Sequence, residues 1–221
     1  MGRIFNLDSP LFSFLNKLAD LIYLNLLTMI CCLPIFTIGA SMTALNYVVL
    51  KIVRNEEGYI TRAFFKSFKQ NFKQATIIWL ILLFIAVVLT GDAFILRYST
   101  IAFPAWMRVL LIILGFSTIF ATMHLFPVLA KFENSIKHTF KNSLLMGILS
   151  LPKTILMMIC WCVPIVLALF FVRAFPIVFI LGISGPAYLC ALLYNKTFKR
   201  FEPEEKEADE WMVEPDKEMM E

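Results

Sequence analysis

Long apolar runs alternate with short basic segments along this chain, and the runs keep a helical period rather than a two-residue one. Residues 25–46, NLLTMICCLPIFTIGASMTALN, contain no charge and carry the breakers Pro34, Thr37 and Gly39 at their middle. A chain that reverses there forms a hairpin of two membrane helices. It would bring Asn25 and Asn46 to about the same depth, where each amide supplies the partner the other needs in hydrocarbon. Ala40, Ser41, Thr43 and Ala44 would give the returning helix a small-residue face for close approach to the first. The alternative is one span ending at Pro34, followed by a helix on the surface.

Continued along the chain, the pattern predicts an all-α, polytopic transmembrane helical bundle. Six spans fall at about 18–33, 37–53, 75–96, 106–130, 154–172 and 175–194, with five as the alternative. A short amphipathic start over 1–17 precedes them, with Asp8, Ser9 and Pro10 as a helix start. The fourth span carries His124 and Pro127, and the proline is expected to kink it. Gly182, Ile183, Ser184, Gly185 and Pro186 interrupt the sixth. Unbroken helical runs argue against a β-barrel.

Two segments have a different pattern. Residues 61–74, TRAFFKSFKQNFKQ, repeat Phe64, Phe68 and Phe72 every fourth position, with Phe65 beside them and Arg62, Lys66, Lys69 and Lys73 opposite. Residues 131–142 repeat Phe132, Ile136 and Phe140, with Lys137 and Lys141 away from that stripe. Both predict interfacial helices in the headgroup plane, phenylalanines in lipid and lysines toward anionic headgroups or a partner. Attachment to membrane spans favours those ligands over nucleic acid.

Composition agrees. Of 221 residues 60% are hydrophobic and 16% charged, where a soluble domain carries about a quarter charged. Residues 1–200 hold 18 basic and 6 acidic side chains, whereas residues 201–221 hold 2 basic and 10 acidic. The chain therefore divides into a transmembrane domain, 1–200, and an acidic cytoplasmic tail, 201–221, expected to be disordered. With six spans, 17 basic residues fall on one side and three (Arg97, Arg108, Arg173) on the other. The positive-inside rule then puts both termini in the cytoplasm of a multi-pass plasma-membrane protein. The first apolar run is too long for a cleaved signal and is expected to be retained.

Catalytic chemistry is not visible. No phosphate-cradling Gly-rich loop, HExxH or GxSxG motif occurs, and Asp8, Asp20, Asp92 and Glu133 fall at different depths. The five cysteines all lie in apolar runs without metal-ligand spacing. No enzyme, cofactor or metal site is expected. The candidate functional positions are Asn25, Pro34, Thr37, Gly39, Asn46 and His124, the last because an ionisable group inside a span is a default functional hypothesis.

The segments LNLLTMICCLPIFTIGASMTAL, GYITRAFFKSFKQNFKQATIIWL and FPVLAKFENSIKHTFKNSLL resemble the YesL-type family of small bacterial membrane proteins. The most specific parts are Asn25 with Pro34, Thr37 and Gly39, and the helix bearing Phe64, Phe65 and Phe68. The resemblance covers most of residues 11–195. It implies a non-catalytic accessory or regulatory role linked to carbohydrate uptake, with a sugar ABC transporter or other membrane complex as partner. A small oligomeric transporter or channel for a small solute is the alternative, motivated by the interrupted sixth span.

Overall fold

The computed structural model describes residues 10–56, 58–98, 104–132, 135–171, 173 and 175–199, and among these the chain is helical with no strand. Helix α1 spans Pro10–Cys32, a 3₁₀ turn covers Ile35–Thr37, and α2 runs Ile38–Arg54. Helix α3 is Ile60–Tyr98, α4 Ala105–Lys131 and α5 Ile136–Leu149. Helix α6 is Leu151–Phe170, α7 Phe175–Leu181 and α8 Ser184–Phe198. Arg3, Asp8, Glu133, Arg200 and the acidic tail lie outside the described residues.

Local chemistry sets the boundaries. α1 stops before Pro34, whose ring disfavours helix at the preceding residue. The Thr37 hydroxyl then points at the carbonyls of Cys31 (2.6 Å) and Pro34 (2.7 Å), closing the reversal. α2 ends on Asn55, which takes a left-handed conformation (φ 54°) that asparagine tolerates. Its side chain also accepts a bond of 2.7 Å from Lys17 Nζ, tying the start of α1 to the end of α2. Pro152 sits in the first turn of α6, where its missing N–H costs nothing.

Helices α1, α2 with its 3₁₀ turn, α3, α4 and α6 are each long and apolar enough to cross a membrane. α7 and α8, bent by 53° at their junction, make a sixth crossing if they count as one span. The exposed surface of α3, α4, α6 and α7 is rich in large apolar side chains, such as Phe84, Ile112, Leu169 and Ile177. A surface of that kind is stable against lipid rather than water. This is the fold of a multi-pass helical membrane protein.

α2 forms the centre. Ala44, Leu45, Val48, Val49 and Leu50 join Leu21 and Leu24 of α1, Phe64 of α3 and Tyr194 and Phe198 of α8 in one buried cluster. Ala40 joins Ala75, Ile78 and Leu82 of α3 and Leu125 and Leu129 of α4 in a second. Close approach happens at Gly39. A Cβ there would stand 2.5 Å from the carbonyl oxygen of Ala75 and 2.7 Å from Trp79 Cβ. The closest approach of α2, at Gly39 and Ala40, is therefore to α3, while Ala44 packs in the cluster that holds Leu21 and Leu24 of α1. The indole of Trp79 seals the contact by donating to Ile35 O at 2.8 Å.

Two boundaries are corrected. Residues 61–74 and 75–96 are not a surface helix followed by a span; they are one 39-residue helix, α3. The charge changes at Gln74, but no proline or glycine lies between Ile60 and Gly91 to break the hydrogen-bond ladder. Residues 131–142 are likewise divided: α4 runs through Pro127 to Lys131, and α5 begins at Ile136 and returns along α4. On that return Gly147 sits where a side chain would strike Phe120.

The phenylalanine stripes are corrected as well. Phe64 is fully buried, and Phe68 and Phe72 pack against the core, as do Phe132, Ile136 and Phe140. Both stripes face protein, and of the residues expected to meet lipid or a partner only Phe65 among the phenylalanines is exposed. The cations Arg62, Lys66, Lys69, Lys73, Lys137 and Lys141 are all exposed.

Candidate functional site

Asn25 and Asn46 are both buried, but they do not pair with one another. Asn25 donates through Nδ2 to Phe179 O (2.9 Å) and accepts through Oδ1 from the backbone N–H of Ile183 and Ser184 (3.0 Å each). These are the groups that a break between α7 and α8 leaves without helical partners. In lipid-embedded protein such groups must be satisfied internally. One amide from α1 therefore clamps both sides of the bend. Gly182 makes the bend feasible, because a side chain there would collide with the Val178 carbonyl.

Asn46 belongs to a different contact. Its Nδ2 donates to Met42 O at 2.8 Å within α2, and its Oδ1 accepts from the buried Tyr194 hydroxyl at 3.3 Å. About two turns further along α2, Arg54 Nε donates to Asn195 Oδ1 at 2.9 Å. Together these fasten α8 to α2.

His124 is buried beside Thr154, with Nε2 to Oγ1 at 2.8 Å. The single hydroxyl proton of Thr154 is within reach of Ser150 O at 3.1 Å. With the proton so directed, Thr154 accepts from Nε2–H, and Nδ1 keeps a buried lone pair for which no protein partner is placed. The pair joins α4 to the start of α6. The described residues contain no group of three His, Cys, Asp or Glu side chains suited to a metal ion.

A polar opening lies elsewhere, at the amphipathic half of α3. Ser67, Gln70, Asn71 and Gln74 line one wall of a cleft of about 640 Å³. Tyr47 of α2 forms another side, and residues 129–132 at the end of α4 close the third. This half of α3 thus carries three stripes: phenylalanine into the core, cations outward, and amides between them. Sequence reasoning missed the third, although positions 67, 70, 71 and 74 have the i, i+3, i+4, i+7 spacing of one helix face. It also missed Tyr194, Asn195 and the partner of Trp79, which long-range packing alone reveals.

With that geometry in place, comparison with known proteins adds one result. A family model described as a protein of unknown function, DUF624, matches residues 21–93. The match takes in Asn25, the reversal at Pro34, all of α2 and most of α3, and it is consistent with the YesL-type resemblance. No curated protein and no solved structure matches the chain.

Proposed function

We propose that this protein is a non-catalytic accessory or regulatory component of the bacterial plasma membrane, linked to carbohydrate uptake, with both termini in the cytoplasm. The observation that carries it is the row Arg62, Lys66, Lys69 and Lys73, exposed on a helix whose opposite face, Phe64, is locked into the core. The charges are held by a rigid scaffold and are suited to an acidic partner surface or anionic headgroups. The excess of basic residues at this end supports a cytoplasmic orientation. The link to carbohydrate, and a sugar ABC transporter as partner, rest on the family resemblance alone.

We also infer a membrane placement from the packing. α2 lies beside residues 60–79 of α3, as the contacts at Gly39 and Ile35 require. Were α2 to cross the full bilayer, Lys66, Lys69 and Lys73 would stand in hydrocarbon beside it, at about 2.5–3.5 kcal/mol each near mid-depth. In our reading α1 and α2 enter from the cytoplasmic side as a hairpin that stops part-way, led by exposed Leu33, Ile35 and Phe36. α3, α4, α6 and the bent α7–α8 pair then complete the crossings.

Affinity purification in mild detergent tests the role. The wild-type chain should recover transporter subunits, and Arg62→Glu combined with Lys69→Glu and Lys73→Glu should abolish the recovery. Repeated recovery of no membrane partner by the wild type would count against the proposal. A second reading, a small oligomeric transporter or channel, is favoured by the clamped break between α7 and α8, since interrupted helices line substrate paths in transporters. Reconstituted vesicles without flux across a broad panel of solutes would remove it.

A further inference from the structure

We infer that the cationic face of α3 is the docking site of this chain's own acidic tail, residues 201–221, with Trp211 seated between Tyr59 and Phe65. The inference uses the same face as the accessory role above but does not require a transporter, and its test contains none.

The face is available. Arg62, Lys66, Lys69 and Lys73 are exposed, and among the described residues none of the four has a hydrogen-bond or ion-pair partner. Their i, i+4, i+7, i+11 spacing sets them in one row, about 16 Å long at 1.5 Å per residue. The carboxylate of Glu56, just before the helix, is taken up by Lys51 at 3.7 Å. The row also carries aromatic surface. Tyr59, 81% exposed, and Phe65, 39% exposed, join Arg62, Lys66 and Lys69 around an open hollow of about 510 Å³. Aromatic walls with a cationic rim fit a ligand that is aromatic at its centre and acidic on both sides. A lipid headgroup matches the rim but leaves the rings uncovered.

The tail has that order. Six carboxylates, from Glu202 to Glu210, precede Trp211, Met212 and Val213, and Glu214, Asp216 and Glu218 follow. Its balance of 2 basic against 10 acidic residues is opposite in sign to the face. Attachment supplies proximity. Phe198, at the end of α8, is fully buried in the same cluster as Phe64 of α3. The chain therefore continues from a point beside the helix that carries the row, on the same side of the membrane. Reaching the outer face means passing around a helix about 10–12 Å across. The residues from Arg200 to Trp211 can span up to about 40 Å, so reach is ample. Exposed ion pairs are individually weak. The tether raises the effective concentration of the tail to about millimolar, so several such pairs and one aromatic contact suffice.

The test uses the full chain in phosphatidylcholine nanodiscs holding one copy each, with p-benzoylphenylalanine in place of Trp211. Irradiation at low salt should cross-link position 211 to residues 59–69, as located by mass spectrometry. Arg62→Glu combined with Lys66→Glu and Lys69→Glu should lower that yield at least about tenfold, and so should 1 M salt, where the screening length falls to about 3 Å. A second readout leaves α3 and Trp211 unaltered. Acylation of Lys66 and Lys69 by an N-hydroxysuccinimide ester should become about threefold faster when Glu207→Gln, Asp209→Asn and Glu210→Gln are introduced together. Lys141, exposed on α5, should keep its rate. Cross-links within residues 59–69 that charge reversal removes uphold the inference. It is overturned if position 211 cross-links elsewhere or not at all, if charge reversal or salt leaves the yield unchanged, or if neutralising the tail leaves Lys66 and Lys69 no more reactive.

Discussion

Replacing Asn25 by leucine should lower the thermal midpoint of the detergent-solubilised protein by about 10–20 °C. The two side chains share the same branched outline, so the change removes the hydrogen-bonding groups while keeping the shape, and the greater bulk of leucine at a fully buried site adds to the loss. Three backbone groups lose their partner together: Phe179 O and the N–H of Ile183 and Ser184. Each unsatisfied buried group costs roughly 1–3 kcal/mol, and water cannot reach Ser184, which is fully buried. Three such groups total about 3–9 kcal/mol. Tyr194→Phe provides the scale for comparison: it removes one long bond of 3.3 Å and should cost about 1 kcal/mol. Equal losses from the two variants would mean that Asn25 does not hold the bend.

Gly39→Ala should be the second severe change, at about 3 kcal/mol or more. A methyl group there meets the Ala75 carbonyl and Trp79 Cβ, and neither can be moved by rotating a side chain. α2 and α3 must separate, which also breaks the indole bond to Ile35. Gly115→Ala is the matched control. Nothing lies within 4 Å of a Cβ at Gly115, in the middle of α4. There the exchange should be neutral or stabilise by up to about 1 kcal/mol through helix propensity. Chemical unfolding of both variants in the same detergent gives the comparison, and similar midpoints would refute the close-contact account.

Much of the helical plan was legible because apolar length and breakers are local signals. Pro34 marks the end of α1, and Gly182 to Pro186 marks the bend before α8. The continuity of α3 was also written locally, since no breaker lies between Ile60 and Gly91. It was obscured by the change from basic to apolar composition at Gln74, which is a boundary of solvent and not of hydrogen bonding. The short connection over residues 55–59 likewise forces α2 to lie beside the first half of α3.

Other features could not be read in this way. The repeat of Phe64, Phe68 and Phe72 declares an apolar face, but lipid and protein are equally apolar, so the repeat does not say which of them covers it. The partner of Asn25 lies more than 150 residues away, and nothing local distinguishes it from Asn46. Both amides needed a partner, as expected in hydrocarbon, and each found it in the last part of the chain: Asn25 at the bend before α8, Asn46 on Tyr194. The amide stripe at positions 67, 70, 71 and 74 was legible in principle, but the stronger periodicities of phenylalanine and lysine on either side concealed it.

The account depends most on α3 being one rod, with its cationic and amide-bearing half held beside α2 and its apolar half in lipid. Spin labels at Arg62 and Phe94, in a full-length background with the five cysteines replaced by alanine, measure this by pulsed dipolar resonance in nanodiscs. A continuous helix places the two positions about 48 Å apart, from 1.5 Å per residue. A distance near 35 Å, as a right-angle bend at Gln74 would give for the same two arms, would contradict it.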